Sequence, residues 1–213
     1  FKDHSTLNSD CGAFYTWSSN GGGTVIKNNF VEVGNKNNNG LMMKLRLGLY
    51  VDNYSSNYIV HHNIVKGGHA GLQTNLPNPG TIYANNTVID SDYGYAIFSV
   101  PKDNAEGRNT SFFNNLIVNP KNFDISYYGT ENGASKNYQG NFQDGRVPVP
   151  FNSLETIQSS NNLRGQIDSL YRPVSGSAAI NGGITIPGIT DGFSGSSPTV
   201  GALEFGEKLF RYG

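Results

Sequence analysis

The sequence predicts an all-β fold, a right-handed parallel β-helix of four or five coils, on the strength of two observations. The first is a segment of the form apolar-x-x-Asn-x-apolar, which occurs four times, around Asn29, Asn63, Asn86 and Asn115. The second is composition: 27 of the 213 residues are glycine and only 15% are charged. Such a composition favours many short strands separated by turns over long amphipathic helices.

The spacing of these asparagines indicates a solenoid. They are 34, 23 and 29 residues apart, which suits a coil of at least about 22 to 25 residues with loop insertions. In stacked coils a repeated residue lies about 4.8 Å above its counterpart, so the side-chain amides can be linked. Asparagine also tolerates the left-handed backbone of a sharp corner. We therefore predict that Asn29, Asn63, Asn86 and Asn115 form an internal ladder with a structural role.

Alternating apolar residues predict the strands in order along the chain. The first strand falls at residues 10–17 and is followed by a glycine-rich corner at residues 18–23. Residues 48–65 contain two strands on either side of the corner after Asp52. The same plan recurs at residues 70–74, 81–89, 95–99, 112–118 and 123–127. Matching Gly12 with Gly48 aligns the first two coils and places Thr16 over Asp52.

We predict a single domain with two parts. Residues 1–130 form the parallel coils, and residues 131–213 form an irregular C-terminal cap packed on them. Within the second part, residues 153–157 have the serine-then-glutamate pattern of a short helix start. Natural proteins protect exposed strand edges and end coils. We therefore expect the chain to be the C-terminal part of a longer polypeptide.

Charge and cysteine content argue against several classes of partner. A formal net charge of -1 gives no electrostatic argument for nucleic acid. No run approaches the roughly 18 apolar residues that a membrane-spanning helix needs. Cys11 is the only cysteine, so an intrachain disulfide is excluded. We expect no nucleic-acid partner, no membrane span and no cofactor, and the sequence makes no prediction of oligomeric state.

Two motifs resemble a known group of proteins. Residues 10–17, Asp-Cys-Gly-Ala-Phe-Tyr-Thr-Trp, and residues 48–63, beginning Gly-Leu-Tyr-Val-Asp-Asn-Tyr, are similar to secreted, pectate-lyase-like β-helix proteins that act on polysaccharides. The nearest resemblance is to glycoside hydrolase family 141, whose members include α-L-fucosidase and xylanase activities. The resemblance implies an extracellular or cell-surface protein with a polysaccharide or oligosaccharide substrate. It also implies two catalytic aspartates, and Asp10 and Asp52 lie in the matching motifs.

Glycoside hydrolysis requires two carboxyl groups, one protonated and one ionised. Asp10 and Asp52 are the candidates. The alternative is that both are turn residues, since aspartate commonly fixes a corner through its side chain. The alignment of Gly12 with Gly48 would separate the two by about 20 Å of extended chain. A bend near Gly12 is therefore required if they act together.

Aromatic and polar residues near these aspartates predict a sugar-binding surface. Aromatic rings stack on the apolar faces of sugars, while polar side chains bond their hydroxyl groups. The predicted substrate-binding residues are Tyr15, Trp17, Tyr50, Tyr54, His69 and Gln73. Among them, His69 is the candidate for a sugar contact or a proton relay.

Two further histidines are adjacent on a predicted strand. His61 and His62 should therefore point to opposite faces of the sheet. Their spacing, together with that of His69, matches no specific metal motif. We predict no metal site.

Two other functions remain open from the sequence. A polysaccharide lyase needs a cation to neutralise a uronate carboxylate and a base to remove a proton, and Lys44 and Arg46 are the cations nearest the central strand. A non-catalytic solenoid that binds glycans or builds a surface structure needs only the repeats. The resemblance favours the hydrolase.

Overall fold

The computed structural model describes residues 1–4, 10–34, 45–99, 109–131, 134–142, 145–146 and 156–207. These residues form strands and contain no helix, which confirms the predicted all-β class. No described segment is therefore a helix with the length and apolar character to cross a membrane. Thr156–Ser160 is a strand, so the predicted helix start is wrong for its last two residues, and its first three lie outside the described residues.

Three sheets run along the molecule, and each coil adds one strand to each sheet. The first sheet contains β2 (Cys11–Thr16), β5 (Arg46–Val51), β8 (Ala70–Leu76), β11 (Tyr93–Ser99), β14 (Phe123–Glu131) and β15 (Ala134–Gly140). The second contains β3 (Asn20–Lys27), β6 (Ser56–His61), β9 (Ile82–Ala84), β12 (Asn109–Phe113) and β16 (Thr156–Ser160). The third contains β1 (Lys2–His4), β4 (Phe30–Val33), β7 (Ile64–Lys66), β10 (Thr87–Ile89), β13 (Leu116–Val118) and β17 (Leu163–Arg164).

Neighbouring strands pair in parallel from coil to coil, as a β-solenoid requires. Among the described strands, the one antiparallel pair is β14 with β15, at the end of the first sheet. Strands β16 and β17 continue the stack into a fifth coil. Residues 156–164 therefore belong to the coils, although their sequence shows little of the repeat.

The core lies inside the coils, where the inward residues of the three sheets meet. Leu49, Val60 and Val65 come from one coil and are fully or almost fully buried. Below them, Tyr83 and Phe112 stack with ring centroids 5.0 Å apart. Burial of this continuous apolar column is the main stabilising contribution to a fold of short strands.

A column of glycines lets the first sheet approach the third. A Cβ atom at Gly48, Gly71 or Gly94 would collide with the side chain of Val65, Val88 or Ile117, respectively. Any side chain at these positions would have to displace a buried residue of the third sheet. The glycine repeat is thus a packing requirement of the coil.

The predicted asparagine ladder is confirmed. Asn29 Nδ2 donates to Asn63 Oδ1 at 2.9 Å, Asn63 to Asn86 at 3.0 Å, and Asn86 to Asn115 at 3.0 Å. The ladder extends to a fifth member, because Asn115 Nδ2 donates to Asn162 Oδ1 at 2.8 Å. In each pair the backbone N–H of the first asparagine also donates to the same oxygen. The ladder therefore satisfies buried backbone donors at the corner between the second and third sheets.

The left-handed corner conformation belongs to the residue before each ladder asparagine, not to the ladder itself. These corner residues have φ between 48° and 57° and are Asn28, His62, Asn85, Asn114 and Asn161. Asparagine reaches this region with little strain because its short polar side chain bonds locally. The repeated Asn-Asn pair thus divides two tasks, the turn and the ladder.

The segment after β17 packs along the side of the solenoid. Ala179, Val200 and Leu203 form a buried cluster with Ile64 and Leu116 of the third sheet. Corner asparagines hold it as well: the side-chain amides of Asn85, Asn114 and Asn161 donate to Thr199, Ile184 and Gly182 carbonyls at 2.8 Å each. This C-terminal segment covers the outer face of the third sheet. No described residue of the first sheet belongs to that cluster.

Candidate functional site

The candidate site lies on the outer face of the first sheet. Tyr15, Tyr50 and Gln73 occupy one register position on β2, β5 and β8. The next position, Val51 and Thr74, is buried beneath the sheet. Because side chains alternate along a strand, Asp52 and Asn75 return to the side of Tyr50 and Gln73. The face is therefore built from two adjacent rows.

The register corrects the alignment predicted from the glycines. Gly12 pairs with Leu47, so Ala13 stands over Gly48 and Thr16 stands over Val51 rather than Asp52. The second sheet carries the compensating irregularity, a register shift between Asn20 and Thr24. That shift spans the three consecutive glycines, which provide a bulge without side chains. The repeated position therefore holds a small residue, which is alanine in the first coil and glycine in the next three.

Three donors converge on the Asp52 carboxylate, which is only 8% exposed. The Oδ1 atom accepts the Asn53 backbone N–H at 2.7 Å and Asn75 Nδ2 at 2.7 Å. The Oδ2 atom accepts the Tyr15 hydroxyl at 2.8 Å. An ionised carboxylate is an acceptor only, so these contacts fit the charged form. The bond to Asn53 is the turn contact that the structural alternative predicted, and the other two extend beyond it.

Tyrosine and amide groups tie the two rows together. Asn75 Nδ2 also approaches the Tyr50 hydroxyl at 2.5 Å, and Gln73 Nε2 donates to Asn75 Oδ1 at 2.6 Å. The rings of Tyr15 and Tyr50 meet edge to face with centroids 5.1 Å apart. Burial, then the hydrogen bond and charge of Asp52, raises the pKa of Tyr15 to about 12. Tyr15 therefore keeps its proton at neutral pH and donates a hydrogen bond to Asp52.

Asp10 is exposed and precedes β2 with φ of 56°. Its backbone N–H donates to the Leu45 carbonyl at 2.8 Å. Partial burial of the carboxyl group, followed by the charge of Asp52, raises the pKa of Asp10. The charges of the two aspartates interact, although Asp10 lies where the strands of the first sheet begin and Asp52 follows the end of β5. Both also raise the pKa of Tyr50, after burial. Their environments differ, because three hydrogen-bond donors surround Asp52 while burial and the charge of Asp52 raise the pKa of Asp10.

Two aromatic side chains border Asp52. Trp17 directly follows β2 and is 61% exposed, and Tyr54 lies in the corner after Asp52 and is 45% exposed. Tyr54 has φ of 62°, an uncommon conformation for an aromatic residue. The backbone N–H of Tyr54 donates to the Pro77 carbonyl at 3.2 Å, which fixes the corner to the next coil. Two exposed aromatic residues therefore lie next to Asp52, Trp17 in the neighbouring coil and Tyr54 along the chain.

His69 lies apart from Asp52, Tyr15 and Asn75. It precedes β8, at the opposite end of the strand from Asn75, and its Nδ1 atom lies 3.6 Å from Asp92 Oδ2. Its ring packs on Tyr93 with centroids 5.3 Å apart. Of the cations considered for a lyase, Arg46 donates to the Gly34 carbonyl at 2.6 Å, and Lys44 lies outside the described residues.

Sequence reasoning missed Asn75 and the aromatic pair beyond it. Asn75 pairs with Phe98, and Phe98 pairs with Tyr128, so the row that begins at Asp52 continues for two more coils. The Phe98 and Tyr128 rings stack with centroids 4.9 Å apart. The repeat spacing could have identified Asn75, because it follows Asp52 by the same 23 residues that separate Asn63 from Asn86.

The adjacent histidines at the corner of the second coil contact one another, contrary to the expectation of opposite faces. His61 Nδ1 and His62 Nδ1 are 2.6 Å apart. The strand alternation ends at His61, because His62 takes the left-handed conformation with φ of 52°. Burial lowers the pKa of both imidazoles to about 4, with further lowering from Lys27 and, for His62, from His61. Both are neutral at pH 7.

This pair predicts a loss of stability in mild acid. Both histidines have a pKa near 6.5 in the unfolded chain but bind a proton in the folded state only near pH 4. Their titration therefore leaves the free energy of unfolding unchanged above pH 6.5. As the pH drops from 6.5 towards 4, it lowers that free energy by up to about 1.4 kcal/mol per pH unit for each histidine. In urea unfolding across this range, the parent should lose stability relative to a His61→Gln, His62→Asn variant as the pH falls. Parallel curves would contradict the prediction.

The described residues hold no group of three histidine, cysteine, aspartate or glutamate side chains arranged to bind a metal ion. Comparison of the chain with protein-family models, with curated proteins and with solved structures finds no match. The candidate site therefore stands on its own geometry.

Proposed function

We propose that the outer face of the first sheet hydrolyses glycosidic bonds in a polysaccharide, with Asp10 and Asp52 as the two carboxyl groups. The observation that carries the proposal is the contrast between them. Asp52 accepts three hydrogen bonds that fit its charged form, whereas burial and the charge of Asp52 raise the pKa of Asp10. Two carboxyl groups in contrasting environments are what acid and base roles need.

The reaction adds water across the bond between the anomeric carbon and the linking oxygen. Asp10, as the acid, gives its proton to the leaving oxygen as that bond breaks. Asp52, ionised, either attacks the anomeric carbon or takes a proton from the attacking water. If Asp52 attacks, a water molecule that gives a proton to Asp10 then displaces Asp52 from the anomeric carbon. If Asp52 instead takes the proton of the attacking water, it releases that proton to solvent, and Asp10 takes one up from solvent. In either case the products are two sugar ends, one of them reducing. Tyr15 and Asn75 position Asp52, because they bond its two oxygens from neighbouring coils.

The substrate we propose is an uncharged glycan. The three groups that bond Asp52 are neutral, and two carboxyl groups on one face disfavour a uronate. Stacked coils are about 4.8 Å apart, which places Phe98 roughly 10 Å and Tyr128 roughly 14 Å from Asp52 along the solenoid. A sugar chain lying parallel to the axis would meet polar groups first and the stacked rings next.

Three further features belong to the same proposal. We infer a right-handed coil, because connections between parallel strands of one sheet are right-handed in about 98% of cases. The resemblance of residues 10–17 and 48–63 to glycoside hydrolase family 141 supports the same chemistry. Action on a polysaccharide in turn favours an extracellular or cell-surface location.

Leaving-group dependence tests the role of Asp10. An aryl glycoside with a dinitrophenolate leaving group needs little acid assistance, whereas an oligosaccharide needs it fully. We expect Asp10→Asn to lower kcat/KM on oligosaccharides by about 100-fold or more, and by less than about tenfold on the α-L-fucoside or β-D-xyloside of dinitrophenol. Asp90→Asn is the matched control, since Asp10 and Asp90 share the left-handed conformation with φ of 56° and 54°.

Equal losses on both substrates would remove Asp10 as the acid. An unsaturated, ultraviolet-absorbing product from a uronate polymer would instead establish a lyase. Absence of any cleavage by the parent chain across neutral and acidic polysaccharides would leave a binding or structural solenoid.

A further inference from the structure

A cleft lies at the corner between the second and third sheets, away from the face that carries Asp52. It has a volume of about 480 Å³ and is lined by His62, residues 189–194 and residues 204–207. This corner cleft falls in the size range of small-molecule sites, roughly 300 to 1,000 Å³.

The corner cleft coincides with the one departure from the corner asparagines. In the three coils that follow, an asparagine amide occupies this corner and donates to a carbonyl of the C-terminal segment. In the second coil the residue is His62, whose Nδ1 atom faces His61. Its Nε2 atom bonds to no described residue. An imidazole edge is thus presented where the other coils bind the C-terminal segment.

The opposite walls offer aromatic and acceptor groups. Phe193 and Phe205 both line the cleft, and Phe205 is 49% exposed. The Asp191 and Glu207 carboxylates each use one oxygen to accept a backbone N–H, from Gly188 at 2.9 Å and Glu204 at 2.8 Å. Their second oxygens accept no hydrogen bond from a described residue. These contacts hold the two loops in place while acceptors remain available.

We propose that the corner cleft is a non-catalytic binding site for an uncharged sugar residue. Phenyl rings offer a surface for the apolar face of a sugar ring, and carboxylate oxygens accept from neighbouring hydroxyl groups. The neutral imidazole of His62 bonds a hydroxyl as donor or acceptor through Nε2. The lining carboxylates disfavour anionic ligands, and the cleft is far larger than a bare metal ion requires. A glycan held here would keep the protein on its substrate while the other face works.

Saturation-transfer NMR with methyl glycosides of glucose, galactose, mannose, xylose and fucose tests the site. We expect at least one to bind, and His62→Asn combined with Phe205→Ala to weaken that binding at least tenfold. His62→Asn restores the residue found at the other corners, so the fold should persist. Leu170→Ala is the matched control, an exposed apolar residue of the same segment outside the cleft. It should leave binding unchanged.

Each of three other outcomes would contradict the proposed binding site. Binding that is lost in Tyr15→Ala but retained in the cleft variant belongs to the first sheet. Binding of tetramethylammonium or arginine in place of every sugar would make the cleft an organic-cation site. Absence of any binding refutes the proposal outright. None of these results depends on hydrolysis, so the hydrolase proposal and this one can fail separately.

Discussion

Replacing Asp52 by asparagine should abolish turnover while leaving the protein folded. The substitution is nearly isosteric, but the amide cannot ionise, and it can neither attack an anomeric carbon nor take a proton. We expect kcat to fall by a factor on the order of a thousand or more on both oligosaccharides and aryl glycosides, the loss expected when a principal catalytic group is removed. The insensitivity to leaving group distinguishes Asp52 from Asp10.

The structural role of Asp52 sets the control for this experiment. Its oxygens accept hydrogen bonds from Asn53, Asn75 and Tyr15. In Asp52→Asn the new side-chain NH₂ group must therefore face one of these donors. The Tyr15 hydroxyl can rotate to accept, which limits the cost to about 1 to 2 kcal/mol. The melting temperature and the activity of Asp52→Asn should be measured beside those of Asp90→Asn. Retained turnover would remove Asp52 from the mechanism.

A conservative change at Tyr15 separates positioning from chemistry. Tyr15→Phe deletes the hydroxyl that bonds Asp52 Oδ2 and keeps the ring against Tyr50. Without that donor the Asp52 carboxylate keeps two of its three hydrogen bonds and is held less firmly, so kcat should fall about tenfold while KM stays nearly unchanged. A purely structural tyrosine would lower the melting temperature and leave kcat of the folded protein in place.

The ladder and the strand classes were predictable because they repeat in every coil. Four ladder asparagines are flanked by apolar residues in the same order, so sequence spacing alone identified four of the five. Asn162 escaped because the fifth coil follows a long interval without the motif, and because Ser159 and Arg164 stand where the other repeats carry apolar residues. The prediction of the ladder rested on repeated spacing and not on the secondary-structure propensity of single residues.

The candidate site was less predictable because it depends on register. A shift of one residue moved Thr16 from Asp52 to Val51, and no local signal reveals that the extra residues of the first coil lie at residues 21–23. The charges of Asp10, Tyr15 and Asp52 also affect one another, although strand spacing alone predicted about 20 Å between the two aspartates. His69 lies apart from Asp52 because it precedes β8, whereas Asn75 is near the other end of that strand.

Removing one rung from the middle of the asparagine ladder should have the largest effect on stability. The Asn86 side chain takes part in four hydrogen bonds: it accepts from Asn63 N and Nδ2 at 3.1 and 3.0 Å, and donates to Val60 O and Asn115 Oδ1 at 2.9 and 3.0 Å. The residue is fully buried, so water cannot replace these partners without opening the corner. We expect Asn86→Ala to lower the free energy of unfolding by about 3 kcal/mol.

The end of the same ladder supplies a matched control. The Asn29 side chain is partly exposed and makes two hydrogen bonds, to Lys27 O at 3.0 Å and Asn63 Oδ1 at 2.9 Å. Because water can reach this end, Asn29→Ala should cost only about 1 kcal/mol. Urea unfolding of both variants measures the difference directly. Equal losses at the two positions would mean that the buried amide chain contributes little, and that apolar packing alone holds the coils in register.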